Sequence, residues 1–259
     1  TFENIAKSSQ ENSGLSNDRT NNRSVEIAFI SGYAGSGKST LITELYRTFS
    51  STSGYLISGR FSSESSARPY SALIDAVQEL ARQLLTETEE ALNVWRVKLD
   101  RVLGNRSQVL IDVIPELKLI IGEPSFTKKT DFKSSFKKLL QVFLFDEHPL
   151  AICLDNLRWI DRETLTLIEE FLLDDRTQNV LLVGAYRSKE VSADHPLAVA
   201  IERLRQHNIP IHTIHLNPLS LDAIVQLITD TLQSEKRSVK SLATLILQKT
   251  YGNPFFIHE

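Results

Sequence analysis

Methionine is absent from the 259 residues, and cysteine occurs once, at Cys153. A single thiol excludes an internal disulfide and leaves no cysteine-based metal site, which fits a reducing compartment. Cys153 sits in an apolar run and reads as a buried strand residue. No apolar run approaches the ~18 residues needed to cross a bilayer, and no signal peptide is expected at the start. The expected location is therefore cytoplasmic, with no membrane partner. A formal net charge of -3 excludes a general attraction to polyanions, so nucleic acid is not an expected partner. The six histidines are scattered without metal-ligand spacing and read as surface or structural residues. No Ser–His–Asp arrangement is readable. The chain opens on Thr1 rather than Met and reads as an excerpt of something longer.

What is present is ordinary for a globular protein: 41% hydrophobic and 24% charged residues, enough for a sizeable core in one large domain or two modest ones. Residues 8–24, SSQENSGLSNDRTNNRS, are polar and aperiodic. Such a stretch buries too little to offset its ordering entropy, so residues 1–24 are expected as a flexible segment. Short apolar runs follow at 25–31, 54–59, 150–155, 179–186 and 209–216, each with the length of a buried strand. Between them the apolar residues fall on helical stripes: Leu73, Val77, Leu80, Leu84; Leu92, Trp95, Leu99, Val102; Phe132, Phe136, Leu139, Phe143. Near-continuous apolar strands separated by helices predict an α/β fold, a parallel sheet of about five strands covered by helices on both faces. The span of about 60–149 is too long for one crossover and reads as a helical insertion after the second strand, within a core of 25–217. Beyond it, Leu221, Ile224, Val225, Ile228 and Leu232, then Val239, Leu242, Leu245 and Ile246, predict a helical lid over 218–259, cut short.

One motif carries chemistry. Gly32-Tyr33-Ala34-Gly35-Ser36-Gly37-Lys38-Ser39 matches the full phosphate-loop pattern, after a predicted strand and before a helical pattern, LITELYRTF. Glycines 32, 35 and 37 let backbone N–H groups turn toward phosphate oxygens. The helix N-terminus adds its positive dipole end. Lys38 suits the β- and γ-phosphates, Ser39 the magnesium ion, and Thr40 the α-phosphate. ATP and Mg²⁺ are the implied cofactors.

A phosphate loop needs a second magnesium anchor on a neighbouring strand. The run LAICLD supplies it in Asp155, at the carboxyl edge where ligands of such sheets gather. Asp161, just before a helical stretch, reads as an N-cap. Arg187 ends the fourth strand; its guanidinium suits a γ-phosphate, and a solvated strand-end arginine is the competing reading.

With GYAGSGKST, LAICLDNLRWID, LLVGAYRS and KTYGNPFF in this order, the chain resembles the signal-transduction ATPases with numerous domains. More narrowly, it is similar to the AAA-type ATPase module of large proteins that join a serine/threonine kinase-like region, this ATPase and a sensor histidine kinase. The likeness runs from about Val25 to Glu259 and includes PYSALIDAVQEL and LIDVIPELKLIIG. It implies that Asp155, Leu157, Trp159 and Asp161 match the family's acidic box, with Asn156 where the family has a second acid. It implies that Arg187 is a γ-phosphate sensor and that Pro254, in Gly252-Asn253-Pro254, opens a helix near the nucleotide's base. The family's Tyr/Phe-Gly-Arg-Glu box ahead of the first strand is not found, and residues 1–7 read as the tail of the helix after it.

The resemblance implies an ATP-dependent regulatory switch with weak hydrolysis, whose partners are the neighbouring kinase-like and sensor kinase domains and, with nucleotide, a second copy. Three other readings stay open: a scaffold that holds nucleotide without turning it over, an origin-recognition-like DNA-binding ATPase, and, weakest, a small-molecule kinase. Asn156 favours the first of these, because an amide cannot take a proton from water.

Overall fold

The computed structural model describes residues 25–50, 54–64, 68–123, 130–144 and 149–258. The stretch 1–24, expected to be flexible, and His148 lie outside the described residues. Five strands, β1 (Val25–Gly32), β2 (Tyr55–Arg60), β3 (Leu150–Asp155), β4 (Val180–Arg187) and β5 (Ile211–Leu216), form one sheet in the order β2-β3-β4-β1-β5. Every neighbouring pair is parallel. The central strands β1, β3 and β4 are buried on two faces because their alternating side chains enter two separate cores, whereas the edge strand β5 has no fully buried residue. Ile27, Phe29, Leu150, Ile152, Leu154, Val180 and Leu182 join the larger core. Ala28, Ile30, Ala151, Cys153, Val183 and Ala185 join the smaller one.

The smaller core is closed by α1 (Lys38–Ser50) through Ile42 and Leu45. The insertion builds most of the larger one with α2 (Ser71–Leu84), α3 (Glu89–Leu103), α4 (Gln108–Ile111), α5 (Glu116–Ile121) and α6 (Phe132–Val142). Leu73, Val77, Leu80 and Leu84 are all buried, as the stripe on α2 predicts. Tyr55 on β2 meets Trp95 edge-on at 5.2 Å and Phe143 at 5.8 Å, which fastens the insertion to the sheet's edge strand. The insertion is thus continuous with the sheet's own core.

Two further helices complete that face: α7 (Arg162–Leu172) and α8 (Pro196–Gln206). Asp161 caps α7 as expected, accepting from the Thr164 N–H at 2.7 Å and its hydroxyl at 2.6 Å. The same hydroxyl oxygen accepts from the Tyr70 N–H at 2.9 Å, which ties the insertion to this cap. Cys153 is buried, and burial pushes its thiol up to about 12.

After β5 come α9 (Leu221–Leu232), α10 (Lys236–Thr250) and α11 (Pro254–His258), with a core of their own: Ile224, Ile228, Val239 and Ala243. The apolar stripes of this lid differ from the expectation at three positions. Leu232, Leu242 and Leu245 are exposed, and the small Ala243 is buried instead. Ala243 joins Ile224, Ile228 and Val239 in the core that α9 and α10 share.

Candidate nucleotide site

The phosphate loop joins β1 to α1 at the carboxyl edge of the sheet. Gly35 has φ +76° and Gly37 φ +90°, a region that side chains with a Cβ rarely occupy. Gly32 is needed for space: a Cβ there would stand 2.6 Å from Ser36 Oγ and 2.9 Å from the Leu216 carbonyl on β5. The first turn of α1 carries no acidic residue, so nothing offsets its positive end. Lys38 is buried. Its ammonium donates to the carbonyls of Tyr33 (2.6 Å) and Gly32 (3.1 Å) and to Ser36 Oγ at 3.4 Å. Burial and the nearby Arg187 push the Lys38 ammonium below its ordinary value, while Asp155 and Glu190 oppose them. A buried cation held by neutral oxygens is a site that an anion would complete.

Ser39 Oγ donates to Asp155 Oδ2 at 2.7 Å. The two residues expected to share a magnesium ion therefore lie together. The expectation that Asp155 sits on the strand next to β1 is not met, because β4 lies between β1 and β3. The contact forms because α1 crosses the sheet, packing on β1, β4 and β2. Arg60, at the end of β2, brings Nε to 3.8 Å from the same Asp155 oxygen. That arginine was not singled out in the sequence, although a basic residue closing a strand at this edge is the signal that marked Arg187.

Asn156 follows Asp155 with φ 58° and ψ 43°, in the left-handed region that asparagine tolerates better than most residues. Its N–H donates to Asp155 Oδ1 at 2.8 Å and so orients that carboxylate. The amide at this position thus has a conformational role as well as the chemical one expected for it.

Arg187 closes β4 and pairs in register with Gly32, which sets it beside the start of the phosphate loop. It is half exposed, and its Nη1 donates to Glu190 Oε1 at 3.1 Å.

The C-terminal element reaches the loop from the other side. Asn253 Nδ2 donates to the Ala34 carbonyl at 3.0 Å, and the Phe255 N–H donates to the Gly35 carbonyl at 3.2 Å. Pro254 lies between these two contacts and opens α11. Ser36 and Gly37 are half-buried, and Thr40 is exposed at the start of α1.

The model of the AAA ATPase domain matches residues 15–183, more than half of the chain. The chain belongs to the AAA ATPase domain family. Relatives of this AAA ATPase domain are signalling kinases. It is 32% identical over 151 residues, 56% of its length, to hybrid signal transduction histidine kinase G of Dictyostelium discoideum. It is 27% identical over 205 residues, 69% of its length, to histidine protein kinase 1 of Candida albicans. The chain spans only 4% and 8% of those two relatives. Among solved structures it resembles Cdc6p from Pyrobaculum aerophilum, with a TM-score of 0.50 and 11% identity over 99% of this chain and 57% of that one. That likeness supports the α/β P-loop fold.

Among the described residues, no helix is long and apolar enough to cross a membrane.

Proposed function

We propose that this AAA ATPase domain binds Mg-ATP at the phosphate loop and acts as a slowly hydrolysing regulatory switch within a larger cytoplasmic signalling protein. The observation that carries the reading is the pairing of Ser39 with Asp155. A hydroxyl on the first turn after the phosphate loop and a strand-end carboxylate, 2.7 Å apart, form the oxygen donor set that magnesium takes. Magnesium, when bound, neutralises phosphate charge. The protein's own residues do the rest. Gly32, Gly35, Ser36, Gly37, Lys38, Ser39 and Thr40 line the phosphates, and Lys38 exchanges carbonyl partners for phosphate oxygens. Asp155 and Ser39 would hold the ion, and Arg187 would meet the terminal phosphate.

The second reading, a scaffold that holds nucleotide without turnover, draws on Asn156. An amide accepts a hydrogen bond from water but takes no proton, so the switch is expected to stay loaded for long periods. The histidine kinase relatives support a regulatory place beside kinase domains of the same chain, with lid position as the output. Pro254 and the contacts of Asn253 and Phe255 with the loop would make that lid responsive to nucleotide, and self-association would follow the same state. The experiment is a calorimetric titration of the native chain with Mg-ATP, followed by single-turnover hydrolysis. Clear binding with slow turnover is expected. Absence of Mg-ATP binding overturns the reading, and brisk turnover overturns the long-lived loaded state.

A further inference from the structure

The turn after β4 carries more charge chemistry than one phosphate-facing arginine requires. The Glu190 N–H donates to the Arg187 carbonyl at 2.9 Å and closes the turn. Glu190 Oε1 accepts from Arg187 Nη1 at 3.1 Å and also from Arg158 Nη1. Its other oxygen, Oε2, is buried and has no hydrogen-bond partner among the described residues, and the hydroxyl of Ser188 is in the same condition. Arg158 is held from two more directions. Its guanidinium stacks 4.1 Å from the centre of the Trp159 ring, and its carbonyl meets His195 Nε2 at 3.2 Å. His195 Nδ1 accepts from the Leu197 N–H, which leaves Nε2 as the donor to that carbonyl. Between Arg187 and Glu190, Lys189 lies 5.4 Å from the ring centre of Tyr33 in the phosphate loop. One carboxylate therefore sits between two guanidinium groups, in a turn that touches the loop.

We propose that Glu190 is a specificity-determining counter-ion, which occupies Arg187 until the terminal phosphate of a nucleoside triphosphate replaces it, and so sets the preference for ATP over ADP. The proposal rests on the ATP reading of the site. Arg187 exchanges one anion for another, a phosphate oxygen for Glu190 Oε1. A carboxylate abandoned in a partly buried place would oppose that exchange strongly. Arg158 removes the obstacle, because it stays on Glu190 when Arg187 leaves. ADP lacks the group that competes, so with ADP the Arg187–Glu190 pair persists.

The test compares affinities for ADP and for a non-hydrolysable ATP analogue, with Mg²⁺, in the native chain, Glu190→Gln, Arg187→Ala and the double variant. Glu190→Gln is expected to widen the ratio in favour of the ATP analogue about three- to tenfold, the range for losing a competing partly exposed ion pair. Arg187→Ala is expected to narrow the ratio, and adding Glu190→Gln to it should change nothing further. Should Glu190→Gln fail to fold, Glu190→Asp decides. Its shorter carboxylate should loosen the hold on Arg187 and move the ratio the same way by less. An unchanged or narrowed ratio in the Glu190 variants overturns the proposal alone. So does an equal effect of Glu190→Gln with and without Arg187. A native chain that binds neither nucleotide overturns the ATP reading and this proposal with it.

Discussion

Ser39 Oγ donates to Asp155 Oδ2 at 2.7 Å, joining the first turn of α1 to the end of β3 across the intervening β4. This contact fixes where phosphate charge and cation would meet. It also sets Asp155 between three groups, Ser39, the Asn156 N–H and Arg60. Each donates or carries positive charge, so the carboxylate is aimed before any ligand arrives.

The residue beyond Asp155 is predicted to set how fast the proposed switch resets. Asn156 is expected to leave Mg-ATP binding near normal while slowing water attack, because positioning with general-base help is typically worth ~10²- to 10⁴-fold in rate. Asn156→Asp should raise single-turnover hydrolysis at least about tenfold, the low side of that range. Aspartate also tolerates the left-handed backbone, so the fold should survive the exchange. An unchanged rate would leave asparagine with its conformational role alone.

The docking of the C-terminal helices is predicted to depend on the Asn253 side chain beside the Phe255 N–H bond to the Gly35 carbonyl. Asn253 bridges the Ala34 carbonyl and the Phe255 N–H, with distances of 3.0 and 3.1 Å. Asn253→Ala removes both bonds, each worth about 0.5–1.5 kcal/mol. Amide hydrogen exchange at Phe255 should then speed up several-fold without a comparable change in the sheet. Unchanged exchange at Phe255 would place the docking elsewhere.

Stability should carry a pH signature from Asp174, which follows α7. Arg176 donates to both of its oxygens, at 3.1 and 3.2 Å, and Lys137 on α6 reaches Oδ2 at 2.6 Å. The Arg176 hydrogen bonds, with Lys137, hold the carboxyl well below the usual carboxylate range. A depressed folded value contributes stability above the unfolded value of about 3.9, and that contribution fades as pH falls below it. Asp174→Asn should therefore cost about 1–3 kcal/mol at pH 7. The difference in Tm between native and variant should shrink at pH 3. A pH-independent difference would mean the loss is one of packing.

Strand order aside, the sheet was legible because five apolar runs alternate with helical stripes, and because the phosphate-loop pattern binds its chemistry to a strand–loop–helix context. The Asp161 cap was legible for a similar reason, since its partner Thr164 is three residues away. What the sequence hid are contacts between distant side chains. Asn253 and Ala34 are separated by 219 residues, and no local pattern announces their bond. Arg158 and Glu190, 32 residues apart, come from different loops that only the packing of β3 against β4 brings together. The exposure of Leu242 and Leu245 was hidden too, since helical periodicity gives a stripe but not what covers it. For Asn156, the family pattern exposed the missing acid, while the left-handed backbone that also suits asparagine is visible only in three dimensions.

The most direct measurement is calorimetric titration of Lys38→Ala with Mg-ATP beside the native chain. Lys38 is buried under the loop, and its ammonium is held by the carbonyls of Gly32 and Tyr33. Removing it takes away the charge that would face the β- and γ-phosphates and leaves the glycine turns intact. Hydrogen bonds to charged groups contribute about 1.5–3 kcal/mol each, so losing more than one lowers affinity by at least about a hundredfold. Binding should become unmeasurable while circular dichroism stays native. Equal affinity in a folded Lys38→Ala variant would contradict nucleotide binding at this loop.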